Sequence, residues 1–154
     1  MKGITVGLTI TRATEQDAET IAIMLGEIER YYGGPDEIPD VKQVRQALFG
    51  PQPAATVLLA RDGEQVIGLA SVCFLWPAVG AETSLYLKEL YVQEGHRRRG
   101  IARDLMAAVR DEAQTAGCSR IEWTADRDNP PALALYAGLG VEPHNGKIFY
   151  RLPV

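Results

Sequence analysis

The chain has 154 residues, with 16 Lys and Arg against 20 Asp and Glu, giving a formal charge of −4. Its 46% hydrophobic and 23% charged residues exclude a disordered or collagen-like chain, and its length suits one domain spanning residues 1–154. Two cysteines are too few for a disulfide scaffold, and no run approaches the roughly 18–20 apolar residues of a membrane span.

Ile4, Val6, Leu8 and Ile10 recur at every second position, the period of a strand with one buried face, which argues against a signal peptide. Thr14 then opens a helix as its N-cap, with Asp17 in the first turn where the helix dipole favours an acid. Ala18, Ile21, Leu25, Ile28 and Tyr32 carry that helix to the stop at Gly33-Gly34-Pro35. Val41, Val44 and Leu48 predict a short second helix ended by Gly50-Pro51. From Thr56 the pattern is extended: TVLLA, a turn at Asp62-Gly63, then VIGLASVCFLW. Pro77 and Gly80 break that run before SLYLKELYV begins another strand.

Gly100 precedes a helix whose Ala102, Leu105, Met106, Val109, Ala113 and Ala116 share one face, and Gly117 is its natural stop. Ile121, Trp123 and Ala125 predict a further strand, and Asn129-Pro130-Pro131 opens a short helix ending by Gly138 or Gly140. A small strand near 140–143 and a last strand, KIFYRL, complete the order β-α-α-β-β-β-α-β-α-β. The expectation is an α/β (α+β) domain, a mixed central sheet flanked by about four helices. Cys73 and Cys118 read as small buried hydrophobes in strands, not as nucleophiles or metal ligands.

Two segments carry chemistry. In YVQEGHRRRGIARDLM a strand gives way to a polar loop, and Gly100 stands where the helix begins. The N–H groups of a first helical turn lack intrahelical partners and point outward, where they hold phosphate oxygens. Gly100 lets backbone and ligand approach closely, and His96, Arg97, Arg98, Arg99 and Arg103 surround the position with positive charge. The same run also reads as a solvated basic stretch, while the acidic chain and the lack of interleaved aromatics disfavour nucleic acid. No Gly-Lys-Ser/Thr is present, so it is not a Walker loop. In ADRDNPPALALYAGLG, Asn129 and Tyr136 lie seven residues apart, nearly two helical turns, and project from similar faces. Taken singly, Asn129 reads as a helix cap and Tyr136 as a packing residue.

Together these segments resemble the GNAT superfamily of N-acetyltransferases. Its acyl-CoA signature is an Arg or Gln, two variable residues, a Gly, one variable residue, then Gly or Ala, and Arg97-Arg98-Arg99-Gly100-Ile101-Ala102 fits it. Asn129, Ala132 and Tyr136 match the later Asn-x2-Ala-x3-Tyr motif. GEIERYY, YLKELYV and EWTADRDNPPALALY look most like the diamine (spermidine/spermine-like) branch, although Lys88-Glu89 stands where that branch tends to carry two adjacent acids.

The resemblance implies a sheet whose central strands splay apart around acetyl-CoA. The backbone of Leu90, Tyr91 and Val92 would pair with the pantetheine arm. N–H groups from about Arg98 to Arg103, with Ile101 and Ala102 between them, would hold the pyrophosphate. Asn129 would bond the arm, and Tyr136 would protonate the departing thiolate. Glu89 is the leading base for the acceptor amine, with Glu27, Tyr31 and Trp76 on the substrate side. Strand alternation puts Lys88 and Glu89 on opposite faces unless a bulge intervenes. The implied function is direct acetyl transfer from acetyl-CoA, without a metal, to a small cationic amine: a diamine, a lysine-like compound or an amino-bearing antibiotic. A protein or peptide acceptor, or a non-catalytic acyl-CoA-binding regulatory module, are the alternatives. The expected protein is a cytoplasmic homodimer without nucleic-acid or membrane partners.

Overall fold

A computed structural model describes residues 8–154, so Ile4 and Val6 of the first predicted strand lie outside the described residues. These residues form two compact units, one ending at Trp123 and the other Thr124–Val154. The first holds a five-stranded sheet in sequential order. It runs β1 (Leu8–Arg12), a 3-10 turn (Glu15–Asp17), α1 (Ala18–Tyr31), α2 (Val41–Phe49), β2 (Thr56–Asp62), β3 (Gln65–Leu75), β4 (Ser84–Val92), α3 (Ile101–Thr115) and β5 (Arg120–Glu122). β1 to β4 pair antiparallel, and β5 joins β4 in parallel. The second unit contains α4 (Pro130–Gly138).

The helix entries follow from their residues. The carboxylate of Asp17 accepts the Thr14 N–H at 2.8 Å, and Asp40 caps α2 by accepting the Lys42 N–H at 2.9 Å. α1 buries Ala18, Ile21, Ala22, Met24 and Ile28 against Val57, Leu59 and Leu69 of the sheet, with Val44 of α2 in the same cluster. α3 buries Ile101, Leu105, Met106, Val109 and Ala113. Gly68 on β3 permits its close approach: a Cβ there would stand 3.3 Å from Leu105 Cδ1 and 2.9 Å from the Tyr91 carbonyl. At the end of α3, Gly117 takes φ +74° and the Cys118 N–H returns to the Ala113 carbonyl at 2.9 Å, a Schellman stop.

Four expectations are corrected. β5 ends at Glu122, so Trp123 and Ala125 are not strand residues, and neither 140–143 nor KIFYRL is a strand among the described residues. Alternating side chains mark an extended segment, whereas a strand is defined by its ladder, and the ladder of β5 with β4 ends at Glu122. Cys118 sits in the Schellman turn rather than a strand, half-buried like Cys73 on β3.

Two sheet features shape the site. Ser71 pairs with Glu89 while Val72 pairs with Leu87, so Lys88 is an inserted residue, a β-bulge. β5 pairs with β4 only at Ser84, Leu85 and Tyr86. From Leu87 to Val92, β4 continues its ladder with β3 beyond the last β5 pair at Tyr86.

Candidate active site

The bulge decides where Glu89 points. Tyr91 pairs with Leu69 and packs on the α1 cluster, so Glu89, two residues earlier and opposite Ser71, shares that face. Lys88 is exposed and Glu89 half-buried. Burial pushes the Glu89 carboxyl above the ordinary range; Lys88 opposes the shift, and Glu29 on α1 adds to it. A carboxyl raised in this way is closer to the pKa useful for proton transfer near neutrality.

Beyond β4 the 93–100 loop turns back on itself, with His96 N–H donating to the Gln93 carbonyl at 3.1 Å. Gly95, Arg98 and Gly100 all have positive φ, +92°, +63° and +78°. Arg98 is the one non-glycine residue in this conformation among the described residues, which marks a loop held against its local preference. Gly100 is the N-cap of α3, and its carbonyl accepts the Asp104 N–H at 3.0 Å. The N–H groups of Ile101, Ala102 and Arg103 precede the first complete helical hydrogen bond and face out of the helix start. A Cβ built on Gly100 meets no atom within 4 Å, so the approach to these donors is open. An open N-terminal turn beside a basic loop fits a pyrophosphate, and the β4 edge from Leu87 to Val92 fits an extended amide-bearing arm.

The three consecutive arginines differ in role. Arg97 Nε donates to the Val92 carbonyl at 3.0 Å, and its guanidinium lies over the Tyr31 ring, 5.3 Å from the centroid. Arg99 reaches Asp62 Oδ2 at 3.1 Å and His96 Nδ1 at 2.9 Å. Because an arginine can only donate, His96 Nδ1 is the acceptor in this contact. Arg98 and Arg103 have no ion pair among the described residues.

A cleft of about 620 Å3 opens between the end of α1, the end of β4 and this loop; Glu27, Tyr31, Tyr91, Gln93, His96 and Arg97 are among its lining residues. Glu27 accepts from the Tyr91 hydroxyl at 2.9 Å and from Gln93 Nε2 at 3.1 Å. Burial, followed by the Glu27 carboxylate, pushes the Tyr91 hydroxyl up to about 12, so it stays protonated and donating. Thus Glu27, Tyr31, Tyr91 and Arg97 come together. Trp76 stands on the β3–β4 connection, its ring exposed and its Nε1 donating to the Ala81 carbonyl at 3.0 Å.

In the second unit Asn129 is the N-cap of α4, its Oδ1 accepting the Ala132 N–H at 3.3 Å. The cap uses the side-chain oxygen as its acceptor. Tyr136 lies half-buried on the same helix. The side chains of Tyr91 and Gln93 were not legible as site residues in the sequence. The available signal was a polar pair two apart at the end of β4, matched by Glu27 and Tyr31 four apart on α1.

The Acetyltransferase (GNAT) family model matches residues 21–141, running through both units. The chain belongs to the GNAT acetyltransferase family. It is 31% identical over 112 residues to aminoglycoside N(6′)-acetyltransferase type 1 of Serratia marcescens, covering 71% of this chain and 76% of that enzyme. It is 26% identical over 140 residues to thialysine N-epsilon-acetyltransferase of Sus scrofa, covering 85% and 82%. An integron cassette protein from the mobile metagenome of V. cholerae superposes with a TM-score of 0.83 at 28% identity, covering 96% of this GNAT chain and 93% of its own. The GNAT chain is therefore an N-acetyltransferase, of a family that takes acetyl-CoA as its donor. Among the described residues, no helix is long and apolar enough to cross a membrane.

Proposed function

We propose that this enzyme moves the acetyl group of acetyl-CoA directly to a primary amine of a small cationic acceptor, such as a diamine, a lysine-like compound or an amino-bearing antibiotic. The observation that carries this reading is Glu89: a half-buried carboxyl brought by the Lys88 bulge onto the α1 face, within electrostatic reach of Glu29. Negative charge there attracts a cationic amine, and Glu89 takes up its proton directly or through water. An alkylamine with a pKa near 10.4 holds little free base at neutral pH, so this step needs a base. The names of the aminoglycoside and thialysine acetyltransferases, with amine-bearing acceptors, support the same class.

In this reading the N–H groups of Ile101, Ala102 and Arg103, with Arg98 and Arg103 as counter-charges, hold the pyrophosphate. The backbone of Leu90, Tyr91 and Val92 pairs with the pantetheine arm. A backbone N–H at the β4 splay stabilises the oxyanion of the tetrahedral intermediate. Asn129 bonds the arm, and Tyr136 protonates the thiolate, a modest demand for a thiol whose pKa is near 8.5. Trp76 lines the acceptor entrance. We treat residues 1–154 as one catalytic domain, supported by a family match that runs through both units. A homodimer is proposed from the apolar 148–152 segment, and a cytoplasmic location from two unpaired thiols.

The test is a screen of amines for thiol release from acetyl-CoA, with diamines, lysine analogues and aminoglycosides as separate arms. Turnover confined to small cationic amines supports the reading. Turnover only with peptide amines overturns the acceptor class.

A further inference from the structure

Glu27 and Tyr31 read from sequence as acceptor-side residues, yet their contacts run to the segment that holds the donor. Glu27 receives hydrogen bonds from Tyr91 and Gln93, one on β4 and the other just past its end. Tyr31, one turn further along α1, lies under Arg97, whose Nε holds the carbonyl of Val92, the last residue of β4. We infer that Glu27 and Tyr31 are positioning residues for acetyl-CoA: through Tyr91, Gln93 and Arg97 they fix the end of β4 and the loop that leads into α3.

This inference rests on the acetyl-CoA reading of that loop. The loop needs external support, because Arg98 adopts a left-handed conformation that a non-glycine residue leaves readily when its surroundings allow. Support comes from two flanks. On the β2–β3 side, Arg99 is tied to Asp62 at the hairpin turn and to His96 within the loop. On the α1 side, the Tyr31 ring fixes the plane of Arg97 while Nε holds the strand end. Without one flank the loop samples conformations whose N–H groups do not converge. The apparent affinity for the donor then falls by the fraction of time the competent loop is absent. The first arginine of the motif thus acts as a brace through Nε and its π-face, distinct from the N–H groups that meet the phosphates.

The experiment uses the full chain with Tyr31→Leu, Tyr31→Phe and Glu27→Gln, measuring acetyl-CoA Kd by calorimetry and KM for each substrate. Tyr31 is 49% exposed, so its variants are expected to fold, and thermal midpoints verify this. Tyr31→Leu should raise the acetyl-CoA Kd about three- to fivefold, the loss of one cation–π contact. The acceptor KM at saturating donor should stay within twofold of wild type. Tyr31→Phe keeps the ring over Arg97 and should shift the donor Kd less than Tyr31→Leu, while Glu27→Gln should shift it in the same direction as Tyr31→Leu. An acceptor KM that rises while donor Kd stays constant overturns the inference and restores both residues to the acceptor. Donor affinity unchanged in every variant overturns it as well. A wild-type enzyme that binds no acetyl-CoA overturns the donor reading itself, a distinguishable result.

Discussion

Glu89 stands opposite Ser71 in the β3–β4 ladder, although Leu87 stands opposite Val72. In an unbroken strand Glu89 would share the face of Leu87; the inserted Lys88 turns Glu89 to the α1 side, together with Tyr91. One residue of insertion thus decides which face of the sheet carries the acid.

The raised Glu89 carboxyl has a consequence for stability as well as for rate. A folded-state pKa above the unfolded value means that the native chain binds more protons between the two values. Stability contributed by Glu89 is therefore present below its unfolded pKa and lost as pH rises through the folded one. Glu89→Gln removes the half-buried charge and should raise the thermal midpoint at neutral pH, with the advantage disappearing in acid. The same variant should lower kcat/KM most at neutral pH and least in alkali, where the amine loses its proton unaided. Thermal melts and rate profiles across pH check both; a variant that is less stable at pH 7 and equally active removes Glu89 from the proposed role.

Much of the architecture follows from local pattern. The apolar spacing of Val41, Val44 and Leu48 matches α2, and SLYLKELYV coincides with β4. The bulge did not show, because a Lys-Glu pair in a strand looks the same with or without an inserted register position. KIFYRL failed for the converse reason, since alternation is a property of the segment and pairing is not. In the site, the Gly100 turn was legible because a glycine at a helix start has a local cause, here φ +78°. The Glu27–Tyr91 and Tyr31–Arg97 contacts join residues more than 60 positions apart and depend on how α1 lies over the sheet.

Gly100 offers a test that separates strain from obstruction. Asparagine tolerates the left-handed region, whereas a β-branched residue does not. Gly100→Asn should cost less than about 1 kcal/mol of stability, and Gly100→Val about 1–2 kcal/mol or more. Both place a side chain in the open approach to the α3 N-terminus, so both should weaken acetyl-CoA binding by tenfold or more, an order-of-magnitude expectation for a lost phosphate contact. Urea denaturation beside calorimetry checks the split. Full donor affinity in Gly100→Asn would refute close approach at this glycine.

Asp17 contributes to acid sensitivity of the fold. Its desolvation pushes the carboxyl up, but the Thr14 N–H and the Arg61 guanidinium, 2.8 Å from Oδ1, outweigh that and hold it below the ordinary value. The sign is opposite to that of Glu89: this stability is present above the unfolded pKa and lost as pH falls through the folded one. Asp17→Ala should cost about 1–3 kcal/mol at pH 7, since it removes a helix-entry contact and the partner of Arg61. The difference from wild type should begin to shrink as pH falls below about 4, where the unfolded-state carboxyl takes up its proton first, and vanish only below the lower folded-state pKa. Urea unfolding at pH 7 and pH 3 measures it, and an equal loss at both values would remove the carboxylate charge from the explanation.

The sharpest chemical test lies at Tyr136. If its hydroxyl protonates the departing thiolate, Tyr136→Phe keeps the ring on α4 and removes only the group that does chemistry. General acid catalysis typically contributes about 10²–10⁴-fold, and solvent water replaces part of it, so kcat should fall by about tenfold or more. Acetyl-CoA affinity should change little, because one hydroxyl contact to sulfur contributes about 1 kcal/mol or less to binding. The rate must be measured where chemistry limits turnover, in a single-turnover experiment with donor bound and acceptor added. A fall in rate at unchanged donor Kd assigns the proton to Tyr136. Wild-type single-turnover rates in Tyr136→Phe would remove it from the mechanism and leave water as the acid that meets the thiolate.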